Sequence, residues 1–80
     1  MILHAESCGQ GPVLLFIHGL GSDHLCWDLQ VPELSNHFRL VRLDLPGSGP
    51  SPDPSGPCSC TEMAGDVAET MQHLGIPSAF

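Results

Sequence analysis

"VLLFIHGLGSDHLCWD", residues 13–28, is the stretch whose reading decides the fold. Five apolar residues run unbroken into a His-Gly pair, a second glycine follows two positions later, and the segment ends beside the only tryptophan of the chain. An apolar run of this length, "VLLFI" at 13–17, stopped by glycine, predicts a strand buried on both faces, the habit of parallel sheets. The period then changes. Pro32 suits the first turn of a helix and not its interior, so a short helix is expected from Val31 to Asn36, with the Trp27 segment leading into it. "FRLVRLDL", residues 38–45, reads as a second strand. Strand, helix and strand in so few residues imply a parallel pair with a right-handed crossover.

Outward from this unit, "ILHAES" at residues 2–7 reads as a short strand closed by the Gly9-Gln10-Gly11-Pro12 turn signal. "PGSGPSPDPSGP", residues 46–57, holds five prolines and three glycines without a regular period, which makes it a surface loop. Ser59 followed three residues later by Glu62 is a capping box, in which each side chain satisfies an unpaired backbone N–H at a helix start. Met63, Val67, Met71 and Leu74 recur at helical spacing and mark a buried face. Gly75 closes that helix in a left-handed conformation, and Pro77 prevents its continuation. "PSAF" at the end begins a further element. No internal repeat is visible.

Composition excludes several classes of function. The chain has 80 residues, enough for one small domain or part of one. Hydrophobic residues make up 41% and charged residues 14%, a globular balance. Arg39 and Arg42 are the only basic side chains besides histidine, there is no lysine, and the formal charge is −7. Such a surface repels phosphate backbones and anionic lipid, so neither a nucleic acid nor a membrane is expected as partner. No apolar run reaches the roughly 18 residues that span a bilayer, and "MILHAES" lacks the basic start and long apolar stretch of an export signal. A cytoplasmic address is expected, with Cys8, Cys26, Cys58 and Cys60 as free thiols. Cys58-Ser59-Cys60 is a poor zinc knuckle, with one intervening residue and no second pair, and no metal is expected.

A strand that stops at a glycine-rich turn and feeds a helix presents free backbone N–H groups at its carboxyl end. Such a turn stabilises negative charge, and two uses compete: a phosphate cradle of the dinucleotide-binding kind, or one half of an oxyanion hole for acyl transfer. Gly19 and Gly21 make the G-x-G of the first use, and Asp44 ends the next strand, about where that use places a ribose-binding acid. Against it, the position of the third glycine is His24, and Pro32 delays the helix that should start at the turn.

"FIHGLGSDHLCW", then "LVRLDLPGSGPS", then the capped helix ending "HLGIPSAF" resemble, in that order, the α/β-hydrolase family, and especially its esterase and lactonase branch, which includes β-ketoadipate enol-lactone hydrolases. The resemblance covers nearly the whole chain. In that family a His-Gly-x turn follows the third strand and a D-x-x-G-x-G-x-S loop follows the fourth, matched by Asp44, Gly47, Gly49 and Ser51. It implies a partial α/β fold, a mostly parallel sheet of about three strands with flanking helices, ending before the nucleophile elbow. The backbone N–H of Leu20 is then the oxyanion donor, with Gly21 the nearest alternative, while Gly19 and Gly21 let the backbone turn sharply. The catalytic base is not His18, which pins the loop by hydrogen bonding. Trp27 packs beneath the turn or lines the acyl pocket. Asp44 and Ser51 cap and anchor the loop rather than serve as acid and nucleophile. His4, His24, His37 and His73 show no partner spacing that suggests a metal or a base, and solvent-facing positions are expected for them.

The resemblance further implies hydrolysis of a small-molecule ester or lactone through a serine acyl-enzyme, without a cofactor. No G-x-S-x-G elbow occurs in the sequence. Residues 1–80 are therefore read as the amino-terminal part of one α/β-hydrolase domain whose nucleophile, acid and histidine lie elsewhere. By itself such a piece is expected to be marginally stable, catalytically silent and able to self-associate through an open sheet edge. The rival readings are a nucleotide-binding module of an oxidoreductase and a non-catalytic remnant.

Overall fold

In a computed structural model the described residues are 1–54, 56 and 58–80; Ser55 and Pro57, inside the loop expected over 46–57, lie outside them. The sheet is organised around β3 (Arg39–Leu43), whose Leu40, Val41 and Leu43 are fully buried. With apolar residues pointing both ways, β3 requires cover on both faces and a neighbour on each edge. β1 (Ala5–Gly9) lies antiparallel to it, from Ala5 opposite Leu43 to Gly9 opposite Arg39. β2 (Val13–Phe16) lies parallel on the other edge, from Val13 opposite Arg39 to Phe16 opposite Arg42. The strand order is β1-β3-β2. The sheet is thus mixed, where a mostly parallel one was expected, because the Gly9–Pro12 turn reverses the chain before β2.

Alternation assigns the two faces. Val41 and Leu43, with Leu3 and Ile76, form the core, against which Ala5, Val13 and Leu15 pack from the sheet and Val67, Met71 and Leu74 from α2 (Cys60–His73). The opposite face carries Phe16 and Arg42, and the crossover covers it. Trp27, at the end of a single 3-10 turn (His24–Trp27), stacks on Phe16 with ring centroids 4.9 Å apart, and Asp28 pairs with Arg42. α1 (Val31–Leu34) completes the crossover, with Pro32 in its first turn.

α2 begins at Ser59, whose hydroxyl accepts from the Glu62 N–H at 3.1 Å. The reciprocal half of the expected capping box is not made; the Glu62 carboxylate instead accepts from the Ser59 hydroxyl. At the other end Gly75 takes φ +73°, while the N–H of Ile76 reaches the Met71 carbonyl and that of Gly75 the Gln72 carbonyl. This pair of bonds is a Schellman stop, with Ile76 turned into the core. The last residue then joins the sheet: Phe80 donates to the Val13 carbonyl at 3.0 Å and accepts from the Leu15 N–H at 2.9 Å, the bond pattern of a parallel neighbour on the outer edge of β2.

Two expectations are corrected. "VLLFI" is half-buried rather than buried on both faces, and Ile17 is 48% exposed, because a single residue, Phe80, lies along its outer edge. The first strand runs over 5–9, not 2–7. Its ladder with β3 continues through Cys8 and Gly9, and at its start the Ser51 side chain interrupts the pairing of His4 with Asp44.

Candidate active-site turn

β2 ends at Phe16, and the chain turns sharply over residues 18–22. His18 is buried and holds the turn from below: its Nε2 accepts from the Leu45 N–H at 3.0 Å, and its Nδ1 lies 2.7 Å from the Gly19 carbonyl oxygen. Acceptance at Nε2 puts the proton on Nδ1, which then donates to Gly19. The Ser22 N–H reaches the same carbonyl at 3.2 Å and closes a turn with Leu20 and Gly21 at its two central positions. Gly21 has φ +79°, which a type II turn requires there and an L side chain resists. Gly19 has no positive φ, so only one of the two glycines is needed for the sharp turn.

The result is a pair of free donors. Among the described residues the N–H groups of Leu20 and Gly21 donate to no protein acceptor, while the Leu20 side chain is fully exposed. A Cβ on Gly19 or Gly21 would meet nothing within 4 Å, so the backbone borders open space at the carboxyl end of β2. Beside it lies a shallow apolar concavity lined by Ile17, Leu45, Cys60, Met63, Ala64 and Val67.

Beneath the turn, Asp44 is fully buried and ties four segments together. One carboxylate oxygen accepts from the His24 backbone N–H at 2.8 Å, and the His24 ring Nδ1 lies 2.8 Å and 3.0 Å from the two oxygens. The Asp44 N–H donates to the His4 carbonyl at 3.0 Å. The return bond of that antiparallel pair is relayed: the His4 N–H donates to Ser51 Oγ at 2.8 Å, and the Ser51 hydroxyl donates to the Asp44 carbonyl at 2.6 Å. Ser51 thus wedges into the ladder, which is why β1 starts only at Ala5. Gly49 passes so close that a Cβ there would stand 2.8 Å from Cγ and Oδ1 of Asp44. Gly47 shapes the same loop, its N–H donating to the Pro52 carbonyl at 2.9 Å.

Asp44, Gly47, Gly49, Ser51 and His18 therefore converge under the turn that bears Leu20 and Gly21. Trp27 does not join them: it is half-buried against Phe16, on the crossover side of the sheet. His24 and His4 are corrections. Both were expected in solvent, yet His24 is only 13% exposed at its side chain and belongs to Asp44, and His4 is drawn in by its backbone bonds. Twenty residues separate His24 from Asp44, so no local spacing announced the pair. His37 and His73 are exposed. All four cysteines are free. Desolvation, then the nearby charges of Glu62 and Asp66 and the Cys60 thiol, pushes the Cys58 thiol up, opposite to what a reactive thiolate needs.

The sequence model of the family described as alpha/beta hydrolase fold matches residues 12–80. The chain is similar to the dihydrolipoyllysine-residue acetyltransferase component of the acetoin cleaving system of Cupriavidus necator, 36% identical over 78 residues, which are 98% of this chain and 21% of that protein. It is 46% identical over 52 residues to the pimeloyl-[acyl-carrier protein] methyl ester esterase of Methylococcus capsulatus, covering 65% of this chain and 20% of that one. Among solved structures, the enol-lactonase of Burkholderia xenovorans superposes with a TM-score of 0.91 at 37% identity, over 96% of this chain and 31% of that one. The chain spans about a fifth of the length of these curated relatives.

These likenesses do not favour the nucleotide-binding alternative, and the geometry gives the reason. The turn leads into a 3-10 turn held by Asp23 rather than into a helix whose N-terminus could hold a phosphate. Asp44 is sealed under the loop and engaged by His24, so no ribose could reach it. Among the described residues no helix is long and apolar enough to cross a membrane.

Proposed function

The chain belongs to the alpha/beta hydrolase fold family, and from that membership we propose that its 18–22 turn supplies the electrostatic half of a site that hydrolyses a carboxylic ester or lactone. The backbone N–H of Leu20 receives the oxyanion of the tetrahedral intermediate, with the N–H of Gly21 as its nearest alternative. The observation that carries this reading is the pair of unpartnered donors facing open space at the end of β2. Donors fixed before the reaction need no reorganisation when charge develops, and each such donor contributes about 10²–10³ in kcat. His18, Asp44, Gly49 and Ser51 set the turn in place and do not touch the substrate. The apolar concavity from Ile17 to Val67 suits the hydrocarbon part of the substrate.

The nucleophile is a serine on a segment outside these 80 residues, activated by a histidine and an acid from the same remainder, and the reaction needs no cofactor. The free thiols suit a cytoplasmic protein. The test is a chimera in which residues 1–80 replace the matching segment of the Burkholderia enol-lactonase. Turnover of an activated ester or a lactone, with covalent labelling by a fluorophosphonate, is the expected result. A folded chimera that turns over neither esters nor lactones would overturn the reading.

A further inference from the structure

His4, Glu6 and His24 each offer a donor atom, and these atoms lie within 4.8 Å of one another at the start of β1, beneath the 18–22 turn. We propose that the three side chains bind one divalent transition-metal ion of the zinc class, and that the ion clamps the crossover to the sheet. The proposal is independent of the hydrolytic reading.

The donor set argues for the class of metal. Two imidazoles and one carboxylate are the ligands of zinc, cobalt, nickel and copper ions, whereas magnesium and calcium prefer oxygen alone. The spacing requires little movement: ligand atoms at about 2.0–2.1 Å from a tetrahedral ion stand about 3.3 Å apart, and His4 Nε2 and Glu6 Oε1 already approach to 3.0 Å. His24, whose donor atom lies within 4.8 Å of the other two, must close by about 1.5 Å at most. Three protein ligands leave a fourth position for water, and the half-exposed Glu6 leaves that side accessible.

The surroundings are built as metal sites are built. Asp44 engages Nδ1 of His24, so the ring is oriented by a buried carboxylate. Carboxylate-imidazole pairs of this kind fix the tautomer and raise ligand basicity. His4 is held through its backbone, by Ser51 on one side and Asp44 on the other. Charge points the same way. Asp44 is fully buried with no arginine among its partners, and a buried carboxylate is costly unless opposite charge compensates it. Arg42, opposite Glu6 in the ladder, turns to Asp28, and Arg39 turns to Ser7. A dication between His4, Glu6 and His24 would place positive charge beside Asp44.

The experiment is a titration with Co²⁺, and in parallel with Zn²⁺, of the full chain with all four cysteines replaced by serine, so that thiols do not compete. Saturation at one ion per chain is expected, with visible cobalt bands of a four- or five-coordinate site and a Zn²⁺-dependent rise in the unfolding midpoint. Glu6→Ala removes an exposed ligand without touching the Asp44 network, and it and His4→Gln should each weaken binding at least tenfold. His73→Ala, on the far end of α2, should leave binding unchanged. No saturable binding, or equal affinity in the parent, Glu6→Ala and His4→Gln, would overturn the proposal.

Discussion

Alanine at Gly49 measures how firmly the buried aspartate holds its place. Two costs combine at that position. The φ of +48° places a side chain in the left-handed region, worth about 1–2 kcal/mol for an L residue. The new Cβ would also stand 2.8 Å from Cγ and Oδ1 of Asp44 and 3.0 Å from Oδ2. Asp44 cannot yield cheaply, because both its oxygens are engaged by His24 and the residue is fully buried. Forcing a methyl into so tight a contact costs about 1–3 kcal/mol more. Gly75 is the control, with φ +73° and nothing within 4 Å of its Cβ position, so Gly75→Ala pays the backbone cost alone. The expected losses are thus about 2–5 kcal/mol for Gly49→Ala and about 1–2 kcal/mol for Gly75→Ala. Trp27 reports unfolding, since it is the only tryptophan and stacks on Phe16. In urea, with a slope near 1 kcal/mol/M for a chain of this size, the two midpoints should differ by about 1–3 M. Coincident midpoints would show that Asp44 and the 46–51 loop move apart freely, and would refute the packing described here.

Other perturbations probe separate links. Ser51→Ala removes the relay between the His4 N–H and the Asp44 carbonyl and should cost about 1–3 kcal/mol in urea unfolding; Ser51→Thr, which keeps the hydroxyl, should cost less. Thr70→Val strips the buried Leu3 N–H of its acceptor, for a loss of about 1–3 kcal/mol with little change in side-chain volume. Ser59→Ala removes the helix cap and should lower stability by about 1 kcal/mol, read as lost α2 ellipticity. The amino terminus is raised above its ordinary value by hydrogen bonds to Glu69 and Asp66. Its contribution is complete below the ordinary amine value of about 8 and lost as pH rises through the raised one, so a stability profile should fall across that alkaline window and flatten in Glu69→Gln.

The readable parts of the fold share one property: each is written in neighbouring residues. Ser59 and Gly75 bracket α2 with side-chain and left-handed caps, Pro32 opens α1, and Gly21 shapes the turn, all within a few residues of their partners. The family resemblance likewise implied that Asp44 and Ser51 cap and anchor the loop after β3. What local pattern did not contain was tertiary. The His24–Asp44 and His4–Ser51 bonds join residues 20 and 47 positions apart, and they help turn two histidines inward. The same wedge of Ser51 moved the start of β1 to Ala5. The mixed sheet followed from the reversal of the chain between β1 and β2, and the order β1-β3-β2 from which edge of β3 each strand took, which alternation within a strand does not specify.

The central claim is that the Leu20 N–H receives the oxyanion, and it is tested by deleting that one hydrogen. In the enol-lactonase chimera, replacing Leu20 by its α-hydroxy acid analogue turns the amide into an ester and removes the donor, while Leu20→Ala removes only an exposed side chain. The ester should lower kcat by about 10²–10³ with KM little changed, and Leu20→Ala should keep near-parental turnover. An ester-substituted protein as fast as the parent, or an equal loss in Leu20→Ala, would contradict it.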